Sequence, residues 1–316
     1  MGRSGPTVGV ALVNWNACEF TISCIESLLS GRVIPNHIVV VDNGSKDDSV
    51  CQITRRFGGV IMVRKAENIG FAAATNEGID ILLQKNVDYI WILNNDTRVD
   101  TTCLSILLEM AKKHPAAAGF SGKVFVDSAE RFIWYGGAVR NFFHLAPKHL
   151  LTECLDGAAV DGVVKVEFIS GCCLFAPALI LRQYGGFVPE YIAYSEDSEW
   201  CWRVTKAGGV LLYVPSAHLW HKVSASVRKN ADGRSAEDRI PAYCLYLMIR
   251  NHLWTIRARE DRTIRRWIGL GTTVLVQAKN LVWYLVRHRP DLMRRAAHGI
   301  ADGLIRPTPC SSCGPR

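Results

Sequence analysis

The residues best suited to chemistry stand where apolar runs stop. Tyr89 to Leu93 is one such run, and it ends at Asn94-Asn95-Asp96-Thr97. Runs of that length bounded by polar residues read as buried parallel strands, and open α/β sheets bind ligands at the carboxyl ends of such strands. A carboxylate placed there, Asp96, can hold a divalent cation against a diphosphate, because hard cations prefer oxygen and share it with substrate phosphates. The same triplet also suits a plain strand-to-loop turn. Three further loops reach the same predicted edge: Asn14 and Asn16 after Val13, Asp42 and Asn43 after Val41, and Glu67 and Asn68 after Val63. Asp42 could accept hydrogen bonds from a base or ribose, as acidic residues after early strands do in nucleotide folds. It could equally close the turn Asp42-Asn43-Gly44-Ser45.

A second carboxylate cluster, Glu196-Asp197-Ser198-Glu199, opens a predicted helix. Acids in a first turn complement the helix dipole. Two adjacent ones facing a cleft also suit a general base whose proton affinity a neighbouring charge raises. His221 follows the next strand and could give a nitrogen to a cation on Asp96. Neither GxGxxG nor GxxxxGK[ST] occurs, so a dinucleotide fingerprint and a P-loop are not supported.

The elements that must position these residues alternate. Strands are expected at Thr7–Val13, His37–Val41, Val60–Val63 and Tyr89–Leu93. Helices are expected from a capping box at Asn16–Glu19 through Leu29, from a Ser45 cap carrying Asp47 and Asp48, and from Phe71 to about Leu83. That β-α-β-α-β-α-β alternation predicts an α/β fold with a doubly wound, mostly parallel sheet. A helix follows near Thr102–Lys113, then an irregular strand-and-loop excursion over the active face, Phe132 to Leu155. A strand at Val164–Ile169, a helix from Pro177, a helix Glu196–Ala207 and a strand Val210–Val214 come next, and the chain is helical from Ile240.

Taken in order, these pieces resemble a family 2 inverting glycosyltransferase of the GT-A fold, in its bacterial rhamnosyltransferase-like branch. The matching segments are Val39–Ser45, Glu67–Phe71 with Asn76, Leu93–Thr97, Ser170–Cys173, Glu196-Asp197 with Trp200 and Arg203, and His221 with Ser226. The resemblance implies a nucleotide-sugar donor, with Asp42 on the base and Asn14, Asn16, Asn43, Asn68, Gly70, Asn76, Asn94 and Asn95 around the donor. It implies a divalent cation (Mg2+ or Mn2+) on Asp96 and His221, with Asn94 standing where many relatives carry an aspartate. It makes Asp197 the catalytic base, with the adjacent Glu196 as the other candidate. The expected reaction is inverting transfer of one sugar to a hydroxyl of a glycan or lipid-linked acceptor in cell-surface polysaccharide synthesis. The QxxRW motif of processive relatives is missing, since Thr263 stands where its Gln would precede Arg266-Trp267, so a single addition is expected. A sugar-phosphate nucleotidyltransferase would need a Gly-rich basic loop that Val13-Asn14-Trp15-Asn16 does not offer. A non-catalytic carbohydrate- or membrane-binding module on a degenerate scaffold is the remaining alternative. The Arg250-Asn251 pair resembles a segment common in this branch and could touch phosphate or acceptor.

The 316 residues are 49% hydrophobic and 21% charged, which provides an ample core. A catalytic domain over residues 1–255 and a basic amphipathic helical extension over residues 256–316 are expected. The first apolar strand is too short for a secretory h-region, and 11 scattered cysteines suit reduced thiols. Cys310 and Cys313 form a lone CxxC without a second pair. The formal charge of +8 is concentrated between Arg262 and Arg295, where eight Lys or Arg face only Asp291. Trp267–Val286 carries Gln277, Lys279 and Asn280 near its middle, which suits a helix lying in an anionic membrane interface better than one crossing it. Arginines alternating with Trp and Leu fit lipid and not nucleic acid. The protein is expected in the cytoplasm, at the inner face of the cell membrane.

Overall fold

The computed structural model describes residues 5–127, 132–151, 162–222 and 241–309. Ser226, Cys310 and Cys313 lie outside the described residues. The first unit alternates as the sequence predicts: β1 (Val8–Asn14), α1 (Cys18–Leu29), β2 (His37–Asp42), α2 (Ser49–Arg56), β3 (Ile61–Arg64), α3 (Phe71–Gln84) and β4 (Tyr89–Asn94). Strands β3, β2, β1 and β4 are neighbours and all pair parallel. The apolar residues of β1, β2 and β4 are buried on both faces, Val39, Val40 and Val41 completely, except Val13 and Tyr89, which like those of the edge strand β3 are half-buried; a helix-covered parallel sheet requires such burial.

The second unit contains β5 (Thr97–Val99), α4 (Cys103–Lys113), β6 (Ala117–Val126), β7 (Ile133–Tyr135), β8 (Ala138–Arg140), β9 (Pro147–His149), β10 (Val164–Val166), β11 (Cys173–Pro177), α5 (Ala178–Tyr184), α6 (Glu196–Lys206) and β12 (Val210–His221). The sheet runs β10-β12-β6-β11-β4-β1-β2-β3, with β5 added to β12 and β7 to β6, while β8 and β9 form a separate hairpin. Strand β11 joins the halves, antiparallel to β4 on one side and to β6 on the other. The expected mostly parallel sheet flanked by helices is therefore present, in mixed form.

Several local expectations change. The predicted Asn16–Glu19 capping box and Ser45 cap do not form: helix α1 begins at Cys18 without a side-chain cap, and α2 begins only at Ser49. The polar atoms proposed as caps are used between loops, where the Asn16 side chain accepts from the Lys46 N–H at 2.8 Å and Ser45 Oγ from the Asn16 N–H at 2.8 Å. Strands β5, β6 and β11 are not legible in the sequence. Strand β6 holds Gly119, Ser121, Gly122 and Lys123, poor strand formers on their own. Its glycine is required by tertiary packing, because a Cβ on Gly122 would run into the Ala217 carbonyl oxygen of β12. Strand β12 continues past Pro215 to His221, with a register shift between Val214 and His218 that absorbs the proline.

The chain ends in α7 (Ala242–Arg259), α8 (Thr263–Val286) and α9 (Pro290–Ile305). Leu245, Ile249, Leu253, Ile256, Leu270, Tyr284, Leu292 and Ala296 form a second apolar cluster that also takes in Leu145 and Trp202 from the sheet-bearing part of the chain. The expected boundary after residue 255 falls inside α7. Among the described residues no helix is long and apolar enough to cross a membrane.

Candidate active site

At the carboxyl edge of the parallel strands, one hydrogen-bonded chain ties the loops together. Asn95 Nδ2 donates to Thr21 Oγ1 at 2.8 Å, Thr21 Oγ1 donates to Asn14 Oδ1 at 2.7 Å, and Asn14 Nδ2 donates to Asp42 Oδ1 at 2.8 Å. Asp42 is 1% exposed and its second oxygen accepts from the Ser45 N–H at 3.2 Å. Burying a carboxylate costs less when it is hydrogen-bonded, and this network also fixes the orientation of Asp42. Thr21, a fully buried polar residue in α1, is a member that sequence reading missed. Its signal was a hydroxyl on the apolar face of a helix.

Asn43 and Asn68 serve each other and the intervening backbone. Asn43 Nδ2 donates to Asn68 Oδ1 at 3.0 Å, Asn43 Oδ1 accepts from the Ile69 N–H at 2.9 Å, and Asn68 Oδ1 accepts from the Gly70 N–H at 2.9 Å. Gly70 has φ +90°, and a Cβ on it would lie 3.1 Å from the Ile192 backbone. Glycine is therefore required there by close approach. Asn76 does not reach this edge. Both ends of its amide are taken by the Phe187 backbone, at 2.7 and 2.8 Å. It holds the Gly185–Phe187 turn, a partner 111 residues away that no local pattern reveals.

Sheet pairing brings Asp96 and His221 together. Strand β12 runs antiparallel to β5 with His221 opposite Thr97, the residue after Asp96. His221 Nε2 lies 2.9 Å from Asp96 Oδ1 and 3.3 Å from Asn94 Nδ2. The ring is 7% exposed, its Nδ1 has no partner, and the Trp134 ring packs against it at 4.8 Å. No group of three or more His, Cys, Asp or Glu side chains that could hold a metal occurs among the described residues. One carboxylate and one imidazole suit a cation that completes its shell with substrate phosphates and water, as Mg2+ commonly does.

The carboxylate pair sits at the start of α6. Asp197 Oδ2 accepts from the Gly171 N–H at 2.9 Å and Oδ1 from the Ser198 N–H at 2.7 Å. Burial raises its proton affinity and these hydrogen bonds oppose the rise. Glu196 differs: it is 6% exposed and its Oε2 is without a partner. Burial, then the charge of Asp197, pushes it up to about 8. The neighbours thus divide: hydrogen bonds orient Asp197 and hold back the rise that its burial imposes, while Glu196 favours its proton at neutral pH.

Gly171 lies only two residues before Cys173, which pairs with Leu93 at the end of β4. Through that turn the Asp197 carboxylate is brought to the same edge as Asp96. The Cys172 thiol of the same turn is raised by its burial first and by Cys173 and both carboxylate charges after that. From the other side, His149 Nδ1 hydrogen-bonds the Trp134 carbonyl at 3.0 Å. The hairpin of β8 and β9 therefore roofs the site, as the irregular stretch over the active face predicts.

The backbone before Glu196 is contorted. Ile192 has φ +65° and ψ −67°, closed by an Ala193 N–H to Tyr191 carbonyl bond of 2.7 Å, and Tyr194 and Ser195 are also left-handed. A γ-turn of this hand on a β-branched residue is rare and strained. Helix α7 holds it. Asn251, 0% exposed, donates to the carbonyls of Tyr191, Ala193 and Tyr194 at 2.8, 2.9 and 2.7 Å. Arg250 Nη2 donates to the Glu190 carbonyl at 3.0 Å, and its Nε to Asn251 Oδ1 at 2.9 Å. The expectation that Arg250-Asn251 touches phosphate or acceptor is therefore corrected, since both side chains are buried and taken by this loop. Glu199, buried on α6, pairs with Arg203 at 2.9 Å and with Arg259 of α7.

Residues 10–157 match the profile of Glycosyl transferase family 2. The chain is 24% identical over 261 residues to N-acetylglucosaminyl-diphospho-decaprenol L-rhamnosyltransferase of Mycobacterium tuberculosis (strain CDC 1551 / Oshkosh), across 77% of this chain and 84% of that one. Among solved structures, GalNAc-T7 with UDP, GalNAc and Mn2+ superposes at a TM-score of 0.59 and 16% identity, over 80% of this chain. The match spans about half of that protein, 48%. The mannosyltransferase PcManGT from Pyrobaculum calidifontis, with GDP-Man and Mn2+, superposes at 0.55 and 11% identity, over 95% of this chain and 86% of that one. The structural likeness is one of fold, the GT-A arrangement.

Proposed function

We propose a specific reaction for this chain, which carries a family 2 glycosyltransferase domain and is a glycosyltransferase: inverting transfer of one sugar from a nucleotide-sugar to an acceptor hydroxyl. The observation that carries the reading is the Asp96–His221 pair (2.9 Å) at the end of β4 together with the Asp197 carboxylate oriented by Gly171, in the turn that leads into the neighbouring strand β11. Asp42, held by Asn14 and Ser45, faces the nucleoside. Asp197 takes the proton from the acceptor hydroxyl as that oxygen attacks the anomeric carbon from the face opposite the leaving diphosphate. One base suffices for a single displacement, and the anomeric configuration inverts. Glu196, which favours its proton, is the poorer base. Its neutral carboxyl limits the negative charge beside Asp197.

A divalent cation fits Asp96 and His221, whose oxygen and nitrogen converge while His221 Nδ1 is left over. When bound, it would neutralise the diphosphate and stabilise the departing nucleoside diphosphate. Trp134 shields the imidazole from water. The mycobacterial relative is named for an acceptor carried on decaprenyl diphosphate, which supports a lipid-linked acceptor here, used at an anionic cytoplasmic membrane face in polysaccharide synthesis. Without a QxxRW motif, the enzyme adds one residue and releases its product.

The test is donor turnover across UDP-, dTDP- and GDP-sugars with Mn2+ or Mg2+, wild type beside Asp96→Ala and Asp197→Asn. Release of one nucleoside diphosphate is expected to need the metal. Each variant should lower transfer by about 10²-fold or more. Full activity of Asp197→Asn would refute the assignment of the base.

A further inference from the structure

Helix α8 packs on the protein through Gly269, Leu270, Thr273 and Tyr284. At 100° per residue, a different face collects Ile264, Trp267, Ile268, Leu275, Val282, Leu285 and Val286. All are exposed, Ile264 by 78% and Trp267 by 67%. They fall within an arc of about 100° and run the length of the 24-residue helix. Lys279 and Arg265 border the stripe on one side. Scattered apolar residues on a surface need no explanation, whereas a continuous stripe on one helix does.

The stripe does not end with the helix. The tip of the β8–β9 hairpin carries Phe142 and Phe143, exposed by 67% and 60%. It is fixed beside α8 because Thr272 Oγ1 donates to the Phe143 carbonyl at 3.0 Å and the Arg265 guanidinium lies 5.8 Å from the Phe142 ring. Between tip and helix opens a cavity of ≈ 500 Å³ lined by Phe142, Arg262, Thr263, Ile264, Arg265 and Ile268. Glu260, buried, is the carboxylate on its inner side, 3.5 Å from Arg265. An apolar floor with arginines at its rim matches a lipid phosphate with the upper part of its chains.

We propose that this surface, the α8 stripe together with the Phe142–Phe143 tip, docks on an anionic phospholipid bilayer, with Arg262 and Arg265 at the phosphates. The inference deepens the reading of a lipid-linked acceptor and rests on it. Its consequence is orientation. The hairpin that carries the tip returns through His149 to Trp134, and Trp134 covers His221. A bilayer engaged by the tip therefore lies on the side from which the roof of the site is built. A diphosphate at headgroup depth would meet the cleft without the lipid leaving the membrane.

The test is partition of the full-length protein onto phosphatidylglycerol-containing vesicles and onto phosphatidylcholine vesicles, without donor. Wild type is expected to prefer the anionic vesicles. Phe142→Ser/Phe143→Ser and, separately, Ile264→Ser/Trp267→Ser should each weaken partition about tenfold or more at unchanged thermal midpoint. Leu179→Ser, exposed on α5, should change nothing. Unaltered partition of the hairpin variant would overturn the proposal. So would release of bound protein by millimolar inorganic diphosphate, which would mark a free-phosphate site. A dimer that the same substitutions dissolve would overturn it too, in favour of a second copy. Donor hydrolysis measured without vesicles reports on the transferase reading separately. If it is absent while partition follows the substitutions, the reaction falls and the surface stands.

Discussion

Glu196 and Asp197 show how adjacent identical chemistry can be split by environment. The Gly171 and Ser198 N–H groups favour the charged form of Asp197, while Glu196 has a buried oxygen with nothing to donate to it. Glu196→Gln should therefore preserve transfer within a few-fold near pH 7, where the wild-type side chain favours its proton, while Asp197→Asn lowers it by about 10²-fold or more. The same asymmetry predicts a stability profile. A carboxyl whose folded pKa is raised to about 8 holds its proton in the folded state while the unfolded chain releases its own. The folded state then binds more protons, so stability falls as pH rises from the ordinary carboxylate range towards 8. Each tenfold difference in proton affinity between the folded and unfolded chain costs about 1.4 kcal/mol at most. Glu196→Gln should raise the thermal midpoint at pH 8 and lose that advantage near pH 4.5. Equal gains at both values would show that the side chain does not titrate as assigned.

Among the elements, α7 has the least expected duty. Its Asn251 supplies donors to three carbonyls of a loop containing left-handed Ile192, Tyr194 and Ser195. That loop delivers the carboxylate pair to the cleft. Removing the amide leaves buried carbonyls unpaired, at about 1–3 kcal/mol each before relaxation. Asn251→Ala should lower stability by about 3 kcal/mol. It should also reduce kcat at least tenfold while nucleotide affinity, which the proposed function assigns to loops on β1, β2 and β4, changes little. Titration of nucleoside diphosphate beside steady-state kinetics separates the two. Parallel loss of affinity and kcat would mean that the loop is not the part affected.

For the whole molecule, the C-terminal helices are part of the catalytic structure as well as a surface. Gly299 and Gly303 of α9 let it sit directly on α7, where a Cβ on Gly303 would come 2.7 Å from the Leu253 side chain. Gly303→Leu should force the helices apart, at about 1–3 kcal/mol. It should also impair transfer, because α7 is the support for the Glu196 loop. A variant that melts earlier yet transfers at the wild-type rate would separate α9 from the site. Removal of α8 and α9 cannot then be read as loss of membrane contact alone, since it also strips the apolar cluster that joins them to Leu145 and Trp202.

What the sequence determined by itself is what local pattern encodes: buried strands of Val, Ile and Leu, the helices between them, and the polar residues at strand ends. Those patterns placed Asn14, Asp42, Asn94 and Asp96 on one edge, because parallel strands joined by right-handed crossovers point the same way. They located the Glu196-Asp197 pair without ranking it, since the ranking depends on backbone donors and burial supplied by Gly171, Ser198 and the surrounding fold. Tertiary structure alone decided the contacts of long sequence separation. Asn76 went to Phe187 and Asn251 to the Ile192 loop, while the His221–Asp96 pair expected from the sequence owes its 2.9 Å geometry to the register of β12 on β5. Strand β6 formed despite two glycines because neighbouring strands needed backbone close by. Hydrogen-bonding amides carry no mark of their partner, so their duties become readable only once the chain has brought that partner within about 3 Å.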